Sequence, residues 1–390
     1  MKLAIVAGEA SGDLHASEVV RELKRLDPAL ETFGIGGDLL AAEGMRILHH
    51  AREMGIVGFF NVLRNLRMFR RIFDDVVQAI AAERPDAVLL VDYPGFNLRL
   101  AKRCRELGLR VIYYISPQVW AWRRGRVKHI AKYVDRMLVI LPFEEDFYRQ
   151  HGVPVTHVGH PLIDELAGIA RGDRPPGTPL KIALLPGSRR GEVSALLPAM
   201  LDAVGVLGGS RHPERSEGSP PQRSFADSAA QDDVVDAYVI QAPTIAAREL
   251  VELMARCGRF VRIVPHDGGQ AIADADVALS SSGTATLECA VIGTPVVVMY
   301  KLTAITHLLA KRLVKLPHFG LINIIAGAEI VPELIQKDVN GERIAAEVRR
   351  MAEPGEHARL RAALADVRRR LGGHGASRRA AEAIMAAVRA

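Results

Sequence analysis

Short apolar runs alternate with longer amphipathic stretches along almost the whole 390-residue chain, and this rhythm constrains the fold more than any other feature. The runs in the first half that we predict to be β-strands are Leu3–Ala7, Ala87–Val91, Val111–Ile115, Met137–Ile140 and Val155–Val158. Helical stretches separate them, and the first is Leu14–Leu26, with Asp13 as its expected N-cap. Apolar strands joined by helices are typical of parallel βαβ units with helices on both faces of the sheet.

The alternation restarts after residues 167–179, a stretch rich in Gly and Pro that we predict to be a linker. The predicted strands of the second half are Lys181–Leu185, Tyr238–Gln241, Phe260–Val264, Val277–Leu279 and Pro295–Met299. We therefore expect an α/β protein with doubly wound domains at 1–166 and 180–372 and a C-terminal helix at 373–390. Ligands are expected at the carboxyl ends of the strands.

One segment interrupts this rhythm. Residues 208–233 contain no Val, Ile, Leu or Met and a single Phe. Such a stretch buries too little apolar area to offset the entropy of ordering it, so we predict a disordered insertion without a catalytic role.

Composition excludes several classes of protein. The net charge of +6 allows an anionic partner without identifying it. Cys104, Cys257 and Cys289 lie far apart, which argues against a disulfide framework or a zinc cluster. His157 and His160 lack nearby carboxylates, so we expect no metal site there. No apolar run approaches the roughly 18 residues of a membrane-spanning helix, and the N-terminus is typical of a buried strand rather than a signal peptide.

The motif GEASGD, Gly8 to Asp13, follows the first predicted strand and opens a helix. Its small residues let backbone amides approach a ligand, and a helix N-terminus favours an anion. Alternatively, the motif is only a tight turn between strand and helix.

The motif VDYPGFN places Asp92 at the end of a strongly apolar strand. A carboxylate at that edge of a sheet is well positioned to act as a general base. The alternative is an N-cap or turn aspartate before the Pro94–Gly95 turn.

Two basic segments lie in the first half. The stretch Ser116–Ile130 sets Trp120 and Trp122 beside Arg123 and other basic residues, which suits a phosphorylated, partly apolar ligand or a nucleic acid. No nucleic-acid-binding pattern accompanies it, and a solvated helix start is the alternative. The segment Gly55–Ile72 pairs apolar with Arg side chains, as either an interfacial helix on an anionic bilayer or a core-packing helix would.

Two turns of the second half suit a diphosphate. In LPGSRRGEV, Arg189 follows the Gly187–Ser188 turn, where a guanidinium and backbone amides can meet a phosphate. In SSSGTATLE, hydroxyls and amides precede a helix, and Glu288 lies far enough along it to accept hydrogen bonds from ribose. The stretch Gly320–Gln336 either caps a helix and packs or gives polar contacts to a sugar.

In this order, the motifs GEASGD, VDYPGFN, SPQVWAWR, HVGHP, LPGSR, SSSGTATLE and N-x-x-AG-x-E-x-x-PELIQ resemble those of lipid-A-disaccharide synthases, glycosyltransferase family 19. The resemblance runs from Lys2 to about Gln336 and departs from the family at the polar insertion.

The resemblance implies a GT-B fold of two facing Rossmann-like domains, the first binding the acceptor at the membrane and the second binding a UDP-sugar. It implies an inverting hexosyltransferase that moves 2,3-diacylglucosamine from its UDP derivative to 2,3-diacylglucosamine 1-phosphate. The products are the β-1′,6-linked tetraacyl disaccharide 1-phosphate, a lipid A precursor of lipopolysaccharide, and UDP. The family works in the cytoplasm of Gram-negative-type bacteria, peripherally on the inner face of the inner membrane.

Applied to this sequence, the resemblance and the residue patterns together assign Asp92 as the base. The residues expected at the acceptor are Ser11, Gly12, Asp13, Trp122 and Arg123. Those expected at UDP and the donor sugar are Gly187, Ser188, Arg189, Ser281, Ser282, Gly283, Thr284, Glu288, Asn323 and Gln336. We expect no metal or other cofactor, an anionic membrane surface as a partner, and no nucleic acid.

The sequence leaves two kinds of alternative function open. One is another GT-B enzyme, such as a UDP-N-acetylglucosamine 2-epimerase or the glycosyltransferase of peptidoglycan lipid assembly, which would share the nucleotide site. The other is a non-catalytic, membrane-associated binding protein. Acyl-chain preference and oligomeric state, including a homodimer, stay open at this stage.

Overall fold

A computed structural model describes residues 1–55, 66–121, 125–172, 175–177, 179–209, 235–301 and 317–389. The chain forms two compact units. Unit 1 comprises residues 1–164 and 371–390, and unit 2 comprises residues 165–370. Each unit contains one sheet in which all the described strand pairs are parallel.

Unit 1 is built on a seven-stranded sheet of order β3-β2-β1-β4-β5-β6-β7. Its strands are β1 Lys2–Ala7, β2 Glu31–Gly36, β3 Arg46–His50, β4 Ala87–Val91, β5 Val111–Tyr114, β6 Arg136–Val139 and β7 Val155–His157. The helices described before β8 are α1 Ala10–Leu26, α2 Asp38–Ala42, α3 Ala51–Gly55, α4 Leu66–Glu83, α5 Pro94–Glu106, α6 Arg126–Tyr133, α7 Pro142–Gln150 and α8 Leu162–Glu165.

Unit 2 is built on a six-stranded sheet of order β10-β9-β8-β11-β12-β13. Its strands are β8 Leu180–Leu185, β9 Val235–Gln241, β10 Arg262–Pro265, β11 Val277–Ser281, β12 Val296–Tyr300 and β13 Glu333–Ile335. The remaining helices are α9 Arg190–Leu207, α10 Ala247–Cys257, α11 Gln270–Ala273, α12 Thr284–Ile292, α13 Leu321–Ala326, α14 Gly341–Ala352, α15 Pro354–Arg370 and α16 Ala376–Arg389.

The unit 1 sheet is buried on both faces, which explains its nearly continuous apolar strands. Alternate residues of β1 point to opposite faces: Val6 joins a cluster with α4 and α5, whereas Ile5 joins a cluster with α1 and α16. The last helix, α16, therefore packs in unit 1. The Asp164 carboxylate accepts hydrogen bonds from the amides of Gly375 and Ala376 at 2.8 and 2.9 Å and so caps that helix.

Some predicted elements need correction. The first helix begins at Ala10 rather than Leu14, so Asp13 lies in its first turn and is not its N-cap, which is Glu9. Strands β2, β3 and β13 were not predicted, because Gly, His or Glu breaks the apolar pattern of each. The predicted insertion at 208–233 lies outside the described residues from residue 210 onward.

The amphipathic segment Gly55–Ile72 is described only from residue 66 onward, where it forms the start of α4. There, Ile72 is buried in the unit 1 core and Phe69 packs against it, whereas Arg70 and Arg71 are exposed. This part packs as a core helix, and its exposed Arg70 and Arg71 pair with Asp74 and Asp75 at 3.9 Å. None of the described helices combines the length and the apolar character needed to span a bilayer.

The predicted linker 167–179 contains a buried ion pair of unit 2. The Arg171 guanidinium meets the Asp276 carboxylate at 2.5 Å, and both side chains are fully buried. Asp276 also accepts hydrogen bonds from the amides of Gly177 and Lys181, while Arg171 Nε donates to the carbonyl of Ala275. These contacts hold the segment against the start of β8 and the residues before β11.

We predict that Asp276→Leu lowers the free energy of unfolding by about 3–5 kcal/mol, because it leaves the Arg171 charge buried without its carboxylate. The double variant Arg171→Met/Asp276→Leu should recover part of that loss, since it buries no unpaired charge. Urea unfolding of the two variants measures both values. A double variant less stable than Asp276→Leu would contradict this account.

Candidate functional site

The strand ends of unit 1 bring two of the predicted motifs together. Ala7 and Val91 are register partners in neighbouring strands, so the loop from Gly8 follows one strand and Asp92 follows the other. A Cβ on Gly8 would lie 2.7 Å from Cδ1 of Tyr93. A residue with a side chain does not fit there, and the glycine lets the two loops touch.

Asp92 lies in a strained turn. Asp92 and Tyr93 have φ angles of +45° and +47°, the left-handed region that residues with a Cβ rarely adopt. Such residues cost on the order of 1–3 kcal/mol each and persist only where the surroundings impose them. The Asp92 amide donates to the carbonyl of Tyr114 at 3.0 Å, and α5 begins immediately after the turn.

The environment of Asp92 suits a base that works near neutral pH. Burial raises the pKa of its carboxyl to about 6, the charge of Glu9 adds to that rise, and the Tyr93 amide opposes it. A carboxylate with this pKa is ionised at pH 7 yet basic enough to accept a proton. The predicted role of Asp92 therefore has an electrostatic basis in unit 1.

The Asp92 carbonyl is held from two sides. The side-chain amide of Asn97 donates to the carbonyls of Asp92, Val91 and Val6 at 2.8, 3.1 and 3.3 Å. The Tyr113 hydroxyl donates to the same Asp92 carbonyl at 2.5 Å. Both side chains are completely buried.

The residues of GEASGD fall into different environments. Ser11 is exposed, whereas Gly12 is buried against Ala7 and Val91. The buried Asp13 carboxylate accepts hydrogen bonds from the amides of Gly37, Leu39 and Leu40 at 2.6, 3.1 and 3.2 Å, around the start of α2. This geometry favours a positioning role for Asp13 over the direct contact with the acceptor expected from the sequence.

A buried network after β5 was not indicated by any sequence pattern. Ser116 Oγ and Trp120 Nε1 donate to Glu144 Oε1 at 2.9 and 3.0 Å, and Ser116 Oγ lies 3.0 Å from the Tyr148 hydroxyl. Burial raises the pKa of Glu144 to about 7 against these hydrogen bonds. The network fixes the first half of the tryptophan-rich motif; Trp122 and Arg123 lie outside the described residues.

The histidines of HVGHP are part of the unit 1 interior. His160 is buried, its Nδ1 accepts from the amide of Leu162 at 3.2 Å, and burial lowers its pKa to about 3. His157 Nε2 lies 3.3 Å from the carbonyl of Ile140, and burial lowers its pKa as well. Both rings are therefore neutral near pH 7, consistent with a structural role.

In unit 2 the two predicted phosphate turns are neighbours. Gly187 has a φ of +120°, and a Cβ there would lie 2.5 Å from Glu192 Oε2 and 3.2 Å from Ser281 Oγ. Ser188 is exposed, and the Arg189 side chain is 82% exposed and pairs with Glu192 at 2.8 Å. Because exposed pairs are weak, an anionic ligand can recruit this guanidinium at little cost.

The turn after β11 opens helix α12 at Thr284, with Gly283 as the N-cap. Ser281 is buried and Ser282 is partly exposed. The Ser282 amide donates to the carbonyl of Met299. The first turn of a helix leaves amides without helical partners, which favours an anion at this point.

Glu288 lies farther along α12 and has a partner that the sequence did not indicate. His266, just after β10, places Nε2 3.0 Å from Glu288 Oε2, and this hydrogen bond raises the pKa of His266. The contact of Glu288 with ribose stays a prediction.

Asn323 and Gln336 differ in what they offer a ligand. Asn323 is fully buried; its amide nitrogen donates to Val331 O and Glu333 Oε1, and its oxygen accepts from the amides of Ile330 and Val331. These contacts favour a positioning role over the expected contact with the donor sugar. Gln336 follows β13 with a φ of +54°, at the carboxyl edge of the sheet.

Known proteins match this chain in sequence and in fold. The family model described as lipid-A-disaccharide synthetase matches residues 3–212 and 203–388. A lipid-A-disaccharide synthase of Geobacter sulfurreducens is 40% identical over 392 residues, covering 98% of this chain and 96% of that relative.

Solved structures share the fold at low identity. The glycotransferase of kitacinnamycin is 16% identical with a TM-score of 0.62, covering 99% of this chain and 98% of that one. UDP-GlcNAc 2-epimerase of Neisseria meningitidis, bound to UDP-GlcNAc, is 11% identical with a TM-score of 0.56. The match covers 100% of this chain and 99% of that one. These likenesses confirm the predicted GT-B class, with two Rossmann-like α/β domains and a helical C-terminal region.

We predict that Glu9→Gln lowers the pKa of Asp92 below about 6, because it removes the negative charge that disfavours the ionised carboxyl. Carboxyl NMR of ¹³C-labelled protein, with Asp92→Asn to assign the signal, measures this pKa. Glu22→Gln is the control, since Glu22 lies on the same helix and pairs with Arg25. An Asp92 pKa that responds equally to both substitutions would contradict the assigned cause.

Proposed function

The chain belongs to the lipid-A-disaccharide synthase family, and from that premise we propose how its residues perform the reaction. The reaction transfers 2,3-diacylglucosamine from its UDP derivative to 2,3-diacylglucosamine 1-phosphate and releases UDP. The family match over almost the whole chain carries this assignment. The fold alone would not, because a UDP-GlcNAc 2-epimerase shares it.

Asp92 acts as the general base in this proposal. Its carboxylate takes the proton of the acceptor's 6-hydroxyl as the oxygen forms a bond to the anomeric carbon of the donor. The bond from that carbon to the diphosphate breaks, its electron pair leaves with UDP, and the configuration inverts. The raised pKa and the strand-end position of Asp92 support this role, which is typically worth about 10²- to 10⁴-fold in rate.

Unit 2 binds the donor in this proposal. The exposed Arg189, the Ser188 amide and the start of α12 at Ser282–Thr284 stabilise the negative charge that develops on the departing diphosphate. Glu288 accepts hydrogen bonds from ribose and Gln336 contacts the donor sugar, while Asn323 positions the loop before β13. With these groups supplying positive potential, we expect transfer to proceed without an added metal ion.

Unit 1 binds the acceptor. The exposed Ser11 and the close-packed Gly12 lie in the first turn of α1, near the end of the strand that Asp92 follows, and Asp13 ties that turn to the start of α2. Trp122 and Arg123 are assigned to the acceptor from the family motif alone. Because both substrates carry acyl chains, we propose that the enzyme works on the cytoplasmic face of the inner membrane, where the exposed Arg70 and Arg71 favour anionic lipid.

We predict that Asp92→Asn lowers kcat by about 10²- to 10⁴-fold with little change in UDP affinity, because it removes the base and keeps the shape. In the wild type, kcat/KM should fall tenfold per pH unit below about pH 6, because a protonated Asp92 cannot accept the proton of the acceptor's 6-hydroxyl. The assay supplies both lipid substrates in mixed micelles with EDTA, and mass spectrometry detects the tetraacyl disaccharide phosphate.

Asp86→Asn is the matched control, because Asp86 is an exposed aspartate at the opposite end of β4. Near-full turnover of a folded Asp92→Asn variant would remove Asp92 from the base role. Release of UDP without disaccharide would instead point to hydrolysis or epimerisation, and a need for added metal would overturn the metal-free expectation.

We predict that Glu288→Gln raises the KM for the donor roughly 10-fold at nearly constant kcat, because a charge-assisted hydrogen bond to ribose becomes a neutral one. Steady-state kinetics at fixed acceptor concentration separates the two parameters. Glu249→Gln, which removes a partly exposed carboxylate paired with Arg190, serves as the control. A drop in kcat with unchanged donor KM would argue against ribose binding by Glu288.

A further inference from the structure

Asp92 and Tyr93 form two consecutive left-handed residues, and neither is glycine. Helix α5 has Pro94 in its first turn, and the amides of Phe96 and Asn97 donate back to the carbonyl of Tyr93. Those bonds secure Tyr93 but leave the peptide of Asp92 to be fixed by other groups. A strained conformation at a functional residue calls for surroundings that impose it.

Asn97 is one such group. The two hydrogens of its amide nitrogen are shared among the carbonyls of Asp92, Val91 and Val6, so they tie the end of β4 to β1. Within the part of the chain that the structure describes, no donor reaches its Oδ1. A leucine of similar size would pack there without an unpaired oxygen. The N–H donors of the Asn97 side chain therefore explain why an amide stands at this position.

Tyr113 is the second group. It lies on β5, next to β4, and its hydroxyl donates to the Asp92 carbonyl from the opposite strand to β1. The side chain is fully buried, and burial raises the pKa of the phenol well above its ordinary value. The hydroxyl is therefore a neutral, permanent donor.

We infer that Asn97 and Tyr113 are positioning residues, which hold the Asp92 carbonyl in the left-handed turn and thereby aim the Asp92 carboxylate and keep it half-buried. The inference rests on the proposed role of Asp92 as the base. Loss of either donor lets the peptide relax towards an ordinary conformation, which moves the carboxylate and exposes it to water.

Relaxation of the Asp92 turn would shift the pH dependence of activity, whereas a simple loss of stability would not. The groups that act on the pKa of Asp92 are Glu9, from the turn after β1, which raises it, and the Tyr93 amide, which lowers it, and burial acts more strongly than either. Asp92 in turn raises the pKa of Tyr113 on β5. If the carboxyl becomes solvated, its pKa falls from about 6 towards 3.8. The acid limb of kcat/KM then moves to lower pH, whereas a smaller folded fraction would lower the whole profile without shifting it.

The test compares Asn97→Ala and Tyr113→Phe with the wild type. At pH 8, where Asp92 is ionised in every variant, we expect kcat to fall about 10- to 100-fold through misplacement of the base. Carboxyl NMR, which needs no activity, should show a lower Asp92 pKa in both variants. The control is Tyr238→Phe, which removes a buried hydroxyl that donates to the Ala271 carbonyl at 2.6 Å in unit 2. Thermal unfolding reports the stability of each variant.

Lower kcat and a lower Asp92 pKa in Tyr113→Phe, with neither change in Tyr238→Phe, supports the inference even if Asn97→Ala fails to fold. A folded Tyr113→Phe variant with wild-type kcat and Asp92 pKa overturns it. An equal fall of kcat in Tyr113→Phe and Tyr238→Phe with no pKa change also overturns it. Failure of the proposed base role would appear separately, as turnover retained by Asp92→Asn.

Discussion

Parallel pairing of the strands determines where chemistry can occur in each unit. Because the described strand pairs of both sheets are parallel, the carboxyl ends of neighbouring strands lie along one edge, and turns from distant parts of the sequence meet there. The register of Ala7 with Val91 sets the GEASGD loop beside Asp92 in unit 1. In unit 2, the same arrangement brings the turn at Gly187 against Ser281.

Burial at that edge gives chemically identical side chains different roles. Asp13 and Asp92 both follow apolar strands, but three backbone amides occupy the carboxylate of Asp13, which thereby becomes a structural cap. Asp92 is buried with less compensation, so its pKa rises to about 6. The left-handed backbone that places this carboxylate is also costly to hold, and we infer that Asn97 and Tyr113 hold it through the Asp92 carbonyl.

The local pattern predicted most of the sheet and the turns that carry the motifs, because buried parallel strands are apolar runs that end in small or polar residues. Strand β13 was missed since its three residues, Glu333–Ile335, are too few to show a pattern. The roles of Asp13, Glu144 and Arg171 could not be predicted either. Their partners lie 24 or more residues away, or 105 for Arg171 and Asp276, and only the fold reveals them.

We propose that the specificity of the enzyme for transfer comes mainly from unit 1. A nucleotide-sugar epimerase shares the fold at 11% identity, so the fold does not by itself choose transfer over epimerisation. Transfer to a sugar hydroxyl needs a base placed for an acceptor, and in our proposal the strained Asp92 turn provides that group. A strained, half-buried carboxylate with two dedicated donors is expensive to maintain, and a domain that only bound lipid or nucleotide would gain nothing from it.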